Sequence, residues 1–302
     1  MIEHRKEFDE MNLYVSTTFL EDGSTIEEAL DLCKENGISN IELGSNHCYS
    51  PVFAPVVSSF DFNYLVHNYF PIPKESFVLN LASTDERILE KSITHVQTAI
   101  DFCAEVGALL YTFHPGFLTD PQGPNQTSQN YDFQWDDSIK NKVNYNQAYE
   151  SMMKGIDTCV DYARQKKVRI AIETEGSYKK KDHLLMQHPE EYTRLFKHFS
   201  PADLGINMNI GHLKLASKAF NFTETEFTDL ISDYIVAMEL SHNDGMEDQH
   251  LPLIEEAWYW SIILDQRFSS AYKIMEFRNT SVEGMLDNIH LYQKKCNAVH
   301  TS

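Results

Sequence analysis

The chemistry-bearing side chains of this 302-residue chain recur in one kind of place. His67 lies in LVHNYF, His114 in YTFHPG, Glu173 in IAIETEG, Asn209 and His212 in INMNIGH, His242 in MELSHNDG, Asp248 and His250 in EDQHLPL, and Glu276 and Arg278 in IMEFRN. Each closes or follows a short apolar run. Imidazole nitrogen and carboxylate oxygen are ligands for zinc, manganese, iron or magnesium, and five of the 13 histidines fall in this set. Singly, each member is accounted for by a hydrogen-bonded core histidine or a solvated rim carboxylate. Together, on neighbouring strand ends, they would be costly to desolvate without a cation to share. The set therefore predicts a divalent-metal centre.

Positioning such groups requires the right elements. Runs rich in Val, Ile, Phe and Tyr alternate with segments of 3.6-residue period. The spacing predicts strands at Leu13–Phe19, Asn40–Leu43, Tyr64–Phe70, Leu109–His114, Arg169–Glu173, Gly205–Asn209, Ile235–Ser241 and Tyr272–Phe277. Predicted helices cover Thr25–Asn36 after a Ser24 cap, Asp85–Val106 ending at Gly107, Tyr145–Gln165, Pro189–Phe199, Glu256–Asp265 and Val282–Lys294. Strand followed by helix, eight times over, is the order that closes a parallel barrel, because each parallel strand needs a covering crossover. The expected fold is α/β, a single (β/α)8 TIM barrel over residues 1–302 with its core at about 12–295. An open doubly wound sheet is the alternative, but no Gly-x-Gly-x-x-Gly turn follows the first strand. In a barrel the strand ends converge on one mouth. The polar segments Phe117–Asn141, with Tyr131, Phe133 and Trp135, and Gly176–Gln187, with Lys179–Lys181, are insertions on that face, either lids or partner contacts, or else solvated loops.

Composition excludes several partners. The chain carries 25 Lys and Arg against 45 Asp and Glu, a net charge of −20, which repels a phosphate backbone. No run approaches the roughly 20 apolar residues of a membrane span. The five cysteines are scattered and no apolar leader is present, so a reducing cytoplasm is expected, with Cys33, Cys103 and Cys159 as small buried hydrophobes. His4, His95, His183, His188, His198, His290 and His300 fall on helices, loops or termini, where surface positions account for them. His47 is given no role, and Glu42 suits a structural or a functional one.

The ordered set His67, His114, Glu173, His212, His242, Asp248-x-His250 and Glu276, with FVLNLAS running into a long helix and then FHPG, resembles the xylose-isomerase-like barrel superfamily. That superfamily contains sugar isomerases and epimerases, inosose dehydratases and endonuclease IV. In its sugar branch the resemblance implies one metal held by Glu173, Glu276, His242 and the residue at Asn209, with both glutamates exchanging a proton beside the substrate carbonyl. In its endonuclease branch it implies three zinc ions on the full set, activating water against a phosphodiester. Asn209 departs from both, because the superfamily has a carboxylate there and an amide oxygen is a weaker ligand. LPLIEEAW also lacks the Gly-Glu-Gly turn of the sugar branch.

The expected function is a divalent-metal-dependent (Mn, Zn, Co or Mg) isomerase or epimerase of a sugar or sugar phosphate, acting through an enediolate. Glu173 and Glu276 are its proton carriers, and Glu173, Asn209, His242 and Glu276 its metal ligands. His212, Arg278 and His67 are its substrate contacts, and a second metal would use His67, His114, Asp248 and His250. Arg278 suits a phosphate or carboxylate clamp or a rim salt bridge equally. The partner is a small molecule, without nucleic acid or membrane, in a chain that can form a homo-oligomer. A multi-metal phosphodiesterase on a small ester, or a non-catalytic metabolite-binding barrel, are the alternatives.

Overall fold

The computed structural model describes residues 12–120, 144–177 and 184–300. Most of Phe117–Asn141, including Tyr131, Phe133 and Trp135, lies outside them, as do Lys179–Lys181. The strands are β1 (Leu13–Ser16), β2 (Asn40–Leu43), β3 (Asn63–His67), β4 (Tyr111–Phe113), β5 (Ile170–Glu173), β6 (Gly205–Asn209), β7 (Ile235–Leu240) and β8 (Tyr272–Met275). They pair in sequence order, all parallel, and β8 closes on β1. The expected TIM barrel is the observed fold.

The helices are α1 (Ile26–Glu35), α2 (Phe53–Val57), α3 (Glu86–Val106), α4 (Tyr145–Lys166), α5 (Pro189–Leu195), α6 (Ile210–Phe220), α7 (Glu224–Ile231), α8 (Trp260–Ile263) and α9 (Val282–His300). The cap of α1 is Thr25 rather than Ser24. Its hydroxyl accepts from the Glu28 amide while Glu28 returns a carboxylate to the Thr25 amide, a reciprocal box that Ser24 cannot make. Gly107 ends α3 at φ 71°, as its position predicts. Helices α2, α6 and α7 escape the periodicity reading. Conversely, Glu256–Asp265 yields only the single turn of α8, since helix propensity is a weak prior under tertiary packing.

Side-chain alternation along the strands divides the interior in two. Leu13, Val15, Ile41, Val66, Tyr111, Ile172, Met208, Met238 and Met275 face outward into a large core shared with the helices. Tyr14, Leu65, Leu110, Ala171, Ala237 and Ile274 form a small separate cluster that plugs the barrel axis. Successive strand residues point to opposite faces, so the positions two further along share the inward face with this plug. They are Ser16, His67, Thr112, Glu173, Glu239 and Glu276. The barrel thus changes from apolar plug to polar layer within one residue repeat.

Candidate metal and catalytic centre

Above the plug an open cavity of about 580 Å³ is lined by His67, His114, Glu173, His212, His250, Glu276 and Arg278, with Thr18, Asn46 and Asn68 among its walls. Seven of the sequence-predicted groups therefore meet around one space. Each arrives by a different route: His67 and Glu173 end β3 and β5, His114 follows β4, and His212 sits in the first turn of α6. Asp248 and His250 come from the loop after β7, with His250 at φ 47°. Glu276 and Arg278 follow β8, where the Arg278 amide donates to the His250 carbonyl at 3.0 Å and ties that loop to the last strand.

Two groups have the spacing of ligands around an ion. In the first, Glu173 Oε2 lies 3.4 Å from His114 Nε2 and 3.7 Å from His67 Nε2. Two donors each about 2.1 Å from a tetrahedral ion are about 3.4 Å apart. In the second, Asp248 Oδ2 lies 3.3 Å from His212 Nε2 and 2.9 Å from His250 Nε2. Glu173 Oε2 and Asp248 Oδ1 are buried with no hydrogen-bond donor. An unmet carboxylate oxygen in a dry interior costs several kcal/mol, which a cation offsets. The donor set therefore fits a divalent metal. A third group, Glu42, His67 and Glu239, has comparable spacing deeper in the barrel.

Neighbouring groups aim these donors. Glu175 accepts from His114 Nδ1 at 2.7 Å, and Thr112 Oγ1 lies 2.9 Å from His67 Nδ1. Both imidazoles are thereby turned to present Nε2 to Glu173. His212 Nδ1 lies 2.8 Å from the Thr174 carbonyl and its Nε2 faces Asp248.

Electrostatics divides the carboxylates. Burial alone would raise Glu173, but the imidazoles of His114, His212 and His67 overcome it and hold the carboxylate below its usual range. Glu276 is likewise raised by burial and pulled back by His250, to about 2. Glu239 and Glu42 go the other way: burial and the charges of neighbouring glutamates push both well above the ordinary value. On the imidazole side burial opposes the proton, yet Glu173 and Glu175 raise His114, and Asp248 and Glu276 raise His250, each to about 9.

Two predicted ligands sit differently. His242 is not brought to the centre: it stands three residues beyond Glu239, on the opposite strand face, with its ring 6.0 Å from Tyr259 and its backbone paired to Leu251. Asn209 is central, but its amide nitrogen, not its oxygen, faces the carboxylates. Three inward groups escape sequence reasoning: Glu239, Glu175 and, in part, Glu42. Strand parity is the signal that finds two of them, since Glu239 is two on from Ala237 and Glu175 two on from Glu173. Outside the centre, His95 is buried at 7% exposure with Nε2 facing the Asn68 carbonyl, so the expected surface position is corrected. The face of α3 that meets the barrel includes it. His47 is also buried, 2.8 Å from the Thr17 hydroxyl.

Cys33, Cys103 and Cys159 are buried free thiols, as expected. Among the described residues no helix is long and apolar enough to cross a membrane.

Comparison with known proteins places this geometry. The chain is 22% identical over 177 residues to the uncharacterized protein MJ1311 of Methanocaldococcus jannaschii, a match that takes in 59% of this chain and only about half, 52%, of that protein. Among solved structures it resembles a D-tagatose 3-epimerase-like protein, with a TM-score of 0.71, 16% identity and coverage of 96% and 98% of the two chains. It also resembles endonuclease IV from Thermus thermophilus, with a TM-score of 0.58, 12% identity and coverage of 95% and 99%. At these identities the likeness is one of fold. The sequence model of the xylose isomerase-like TIM barrel matches residues 51–294, most of the chain and all but the first two strands of the barrel, and this protein belongs to that family.

Proposed function

We propose that this protein is a divalent-metal-dependent isomerase or epimerase acting on a sugar or sugar phosphate. The observation that carries the reading is the pair Glu173 and Glu276, two buried carboxylates from different strands that face one cavity and are both held ionised. Either one, being ionised, can take the proton from the carbon beside a carbonyl and so becomes the acid that can give it back, while the other, once it has drawn a proton from solvent, can deliver one to the opposite face. Arg278, lining the same cavity, supplies the fixed cation that orients an anionic or hydroxyl-bearing end of the substrate. His212 and His250 line the same cavity and stand against its carboxylates, His212 Nδ1 3.1 Å from Glu173 and His250 Nδ1 3.0 Å from Glu276.

A manganese, zinc, cobalt or magnesium ion would be held by Glu173 with His67 and His114, and a second by His212, Asp248 and His250. When bound, such an ion polarises the carbonyl and makes the neighbouring carbon acidic. The similarity in fold to a D-tagatose 3-epimerase-like protein supports the sugar substrate.

The test is solvent-deuterium exchange with a panel of ketoses, aldoses and their phosphates. Label appearing at the carbon beside the carbonyl supports the reading, and Glu173→Gln should then lower that exchange by about 10²–10⁴-fold. Exchange that is unchanged in Glu173→Gln removes Glu173 as the proton carrier. The second reading, a multi-metal phosphodiesterase on a small ester, is favoured by the second ligand group and by the fold shared with endonuclease IV. Cleavage of a phosphate diester with no exchange in any sugar would establish it instead.

A further inference from the structure

We infer that Asn209 stands in for a cation: its side-chain amide occupies the space between Glu173 and Glu239, and this one residue keeps a metal ion out of that space. The inference concerns metal occupancy and rests on the metal-dependent reading above.

Asn209 closes β6 and is fully buried, as are Glu239 and, to 1%, Glu173. Its two ends do different work. The side-chain oxygen accepts the backbone N–H of His212 at 3.0 Å and so caps α6. The side-chain nitrogen lies 2.9 Å from Glu173 Oε1 and 2.9 Å from Glu239 Oε2. A primary amide carries two N–H donors, and here each meets one carboxylate. The arrangement is a fork that holds two buried acidic groups together, as an ion between them would.

The orientation of the amide is dictated. Turning it over would set the amide nitrogen against the His212 N–H, donor to donor, and the oxygen against the ionised Glu173 carboxylate, acceptor to acceptor. The helix cap and the carboxylate bridge thus enforce one another. A cation entering between Glu173 and Glu239 would face the positive end of the amide instead of an oxygen ligand.

The satisfaction of individual oxygens points the same way. Glu239 Oε2 and Glu173 Oε1 receive Asn209, and Glu239 Oε1 receives the side-chain amide of Asn207. By contrast Glu173 Oε2, which faces the imidazoles of His67 and His114, receives nothing. The donor-less oxygen of Glu173 thus lies on its imidazole side, while its Asn209 side is already met.

An aspartate at 209 would keep the cap through one oxygen and present the other to Glu173 and Glu239, exchanging a donor fork for a third carboxylate. The experiment therefore compares the full-length protein with Asn209→Asp. Both are stripped with chelator, saturated with manganese or zinc, desalted and analysed for metal per chain, and their melting temperatures are recorded with and without metal. The inference expects Asn209→Asp to hold one further equivalent and to gain more in melting temperature on metal addition than the unsubstituted protein does. Equal stoichiometry in the two proteins overturns it. If Asn209→Asp does not fold, a crystal of the unsubstituted protein soaked in manganese decides. Anomalous density at the histidine-bearing groups alone supports the inference, and density within ligand distance of both Glu173 and Glu239 overturns it. An unsubstituted protein that takes up no metal at all would instead count against the functional reading, while a gain in Asn209→Asp would still uphold the role of Asn209.

Discussion

His114 and His250 share a property that governs how the centre loads. Each is buried, yet each keeps a proton up to about pH 9 because carboxylates face it. A metal ligand must be deprotonated, so an incoming ion has to displace those protons. Metal affinity should rise with pH from 6 to about 9, by up to a decade per unit for each proton released. Titration calorimetry in buffers of different ionisation enthalpy reads the proton count directly, and affinity independent of pH would contradict the assignment of these imidazoles. Glu175 is the second residue whose effect is indirect. Its 2.7 Å contact with His114 Nδ1 fixes which nitrogen faces Glu173, so Glu175→Gln should weaken metal binding by about 10–100-fold while the fold persists. Unaltered affinity by competition with a fluorescent chelator would refute that role. Most residues of the centre are legible in the sequence because imidazoles and acids are conspicuous after apolar runs. Glu239 is not, since within IVAMEL it reads as one polar residue in a buried strand and only its parity with Ala237 turns it inward.

The elements hold the centre by close approach. Gly176, just after β5, passes so near the first turn of α6 that a Cβ there would lie 2.0 Å from the His212 carbonyl oxygen. Gly176→Ala should push α6 and His212 away from Glu173. The expected costs are about 1–3 kcal/mol of stability and a clear loss of metal affinity, measured by urea denaturation and by the chelator assay. A stability change without loss of affinity would mean that His212 is not a ligand. Two buried histidines tie other elements to the barrel. Burial pushes His47 and His95 down to about 4, against a smaller opposing effect of the backbone carbonyls they face. Below pH 6.5 the unfolded chain binds these protons and the native one does not, so stability is full above 6.5 and falls as pH drops toward 4. The loss is on the order of 3 kcal/mol at most for each. A denaturation midpoint that falls less from pH 7 to 5 in His47→Gln/His95→Gln than in the unsubstituted protein is the expected pattern, since His67, also lowered by burial, remains in both. Short helices explain why this level was only partly legible: α2 and α8 are single turns whose stability comes from packing, not from a repeat the sequence displays.

Across the whole molecule the net charge of −20 sets what can approach. A DNA duplex gains affinity by releasing counterions to Lys and Arg, and here acidic residues exceed basic ones by nearly two to one. Duplex DNA carrying an abasic site should therefore bind more weakly than about 10⁻⁴ M at physiological salt, as read by fluorescence anisotropy. Tight, salt-sensitive binding would favour the endonuclease-like alternative. By itself the sequence determined the closed α/β barrel and the clustering of acids and imidazoles at its mouth. Both follow from repetition: eight apolar runs with crossovers, and no dinucleotide-binding turn after the first, favour a closed parallel barrel over an open sheet, and polar groups at the strand ends share one rim. Only the tertiary structure decided which of those groups face one another. Orientation depends on strand parity, which excludes His242 and admits Glu239. It depends also on contacts between residues far apart in the chain, such as the amide of Asn209 set between Glu173 and Glu239, and no local pattern encodes these.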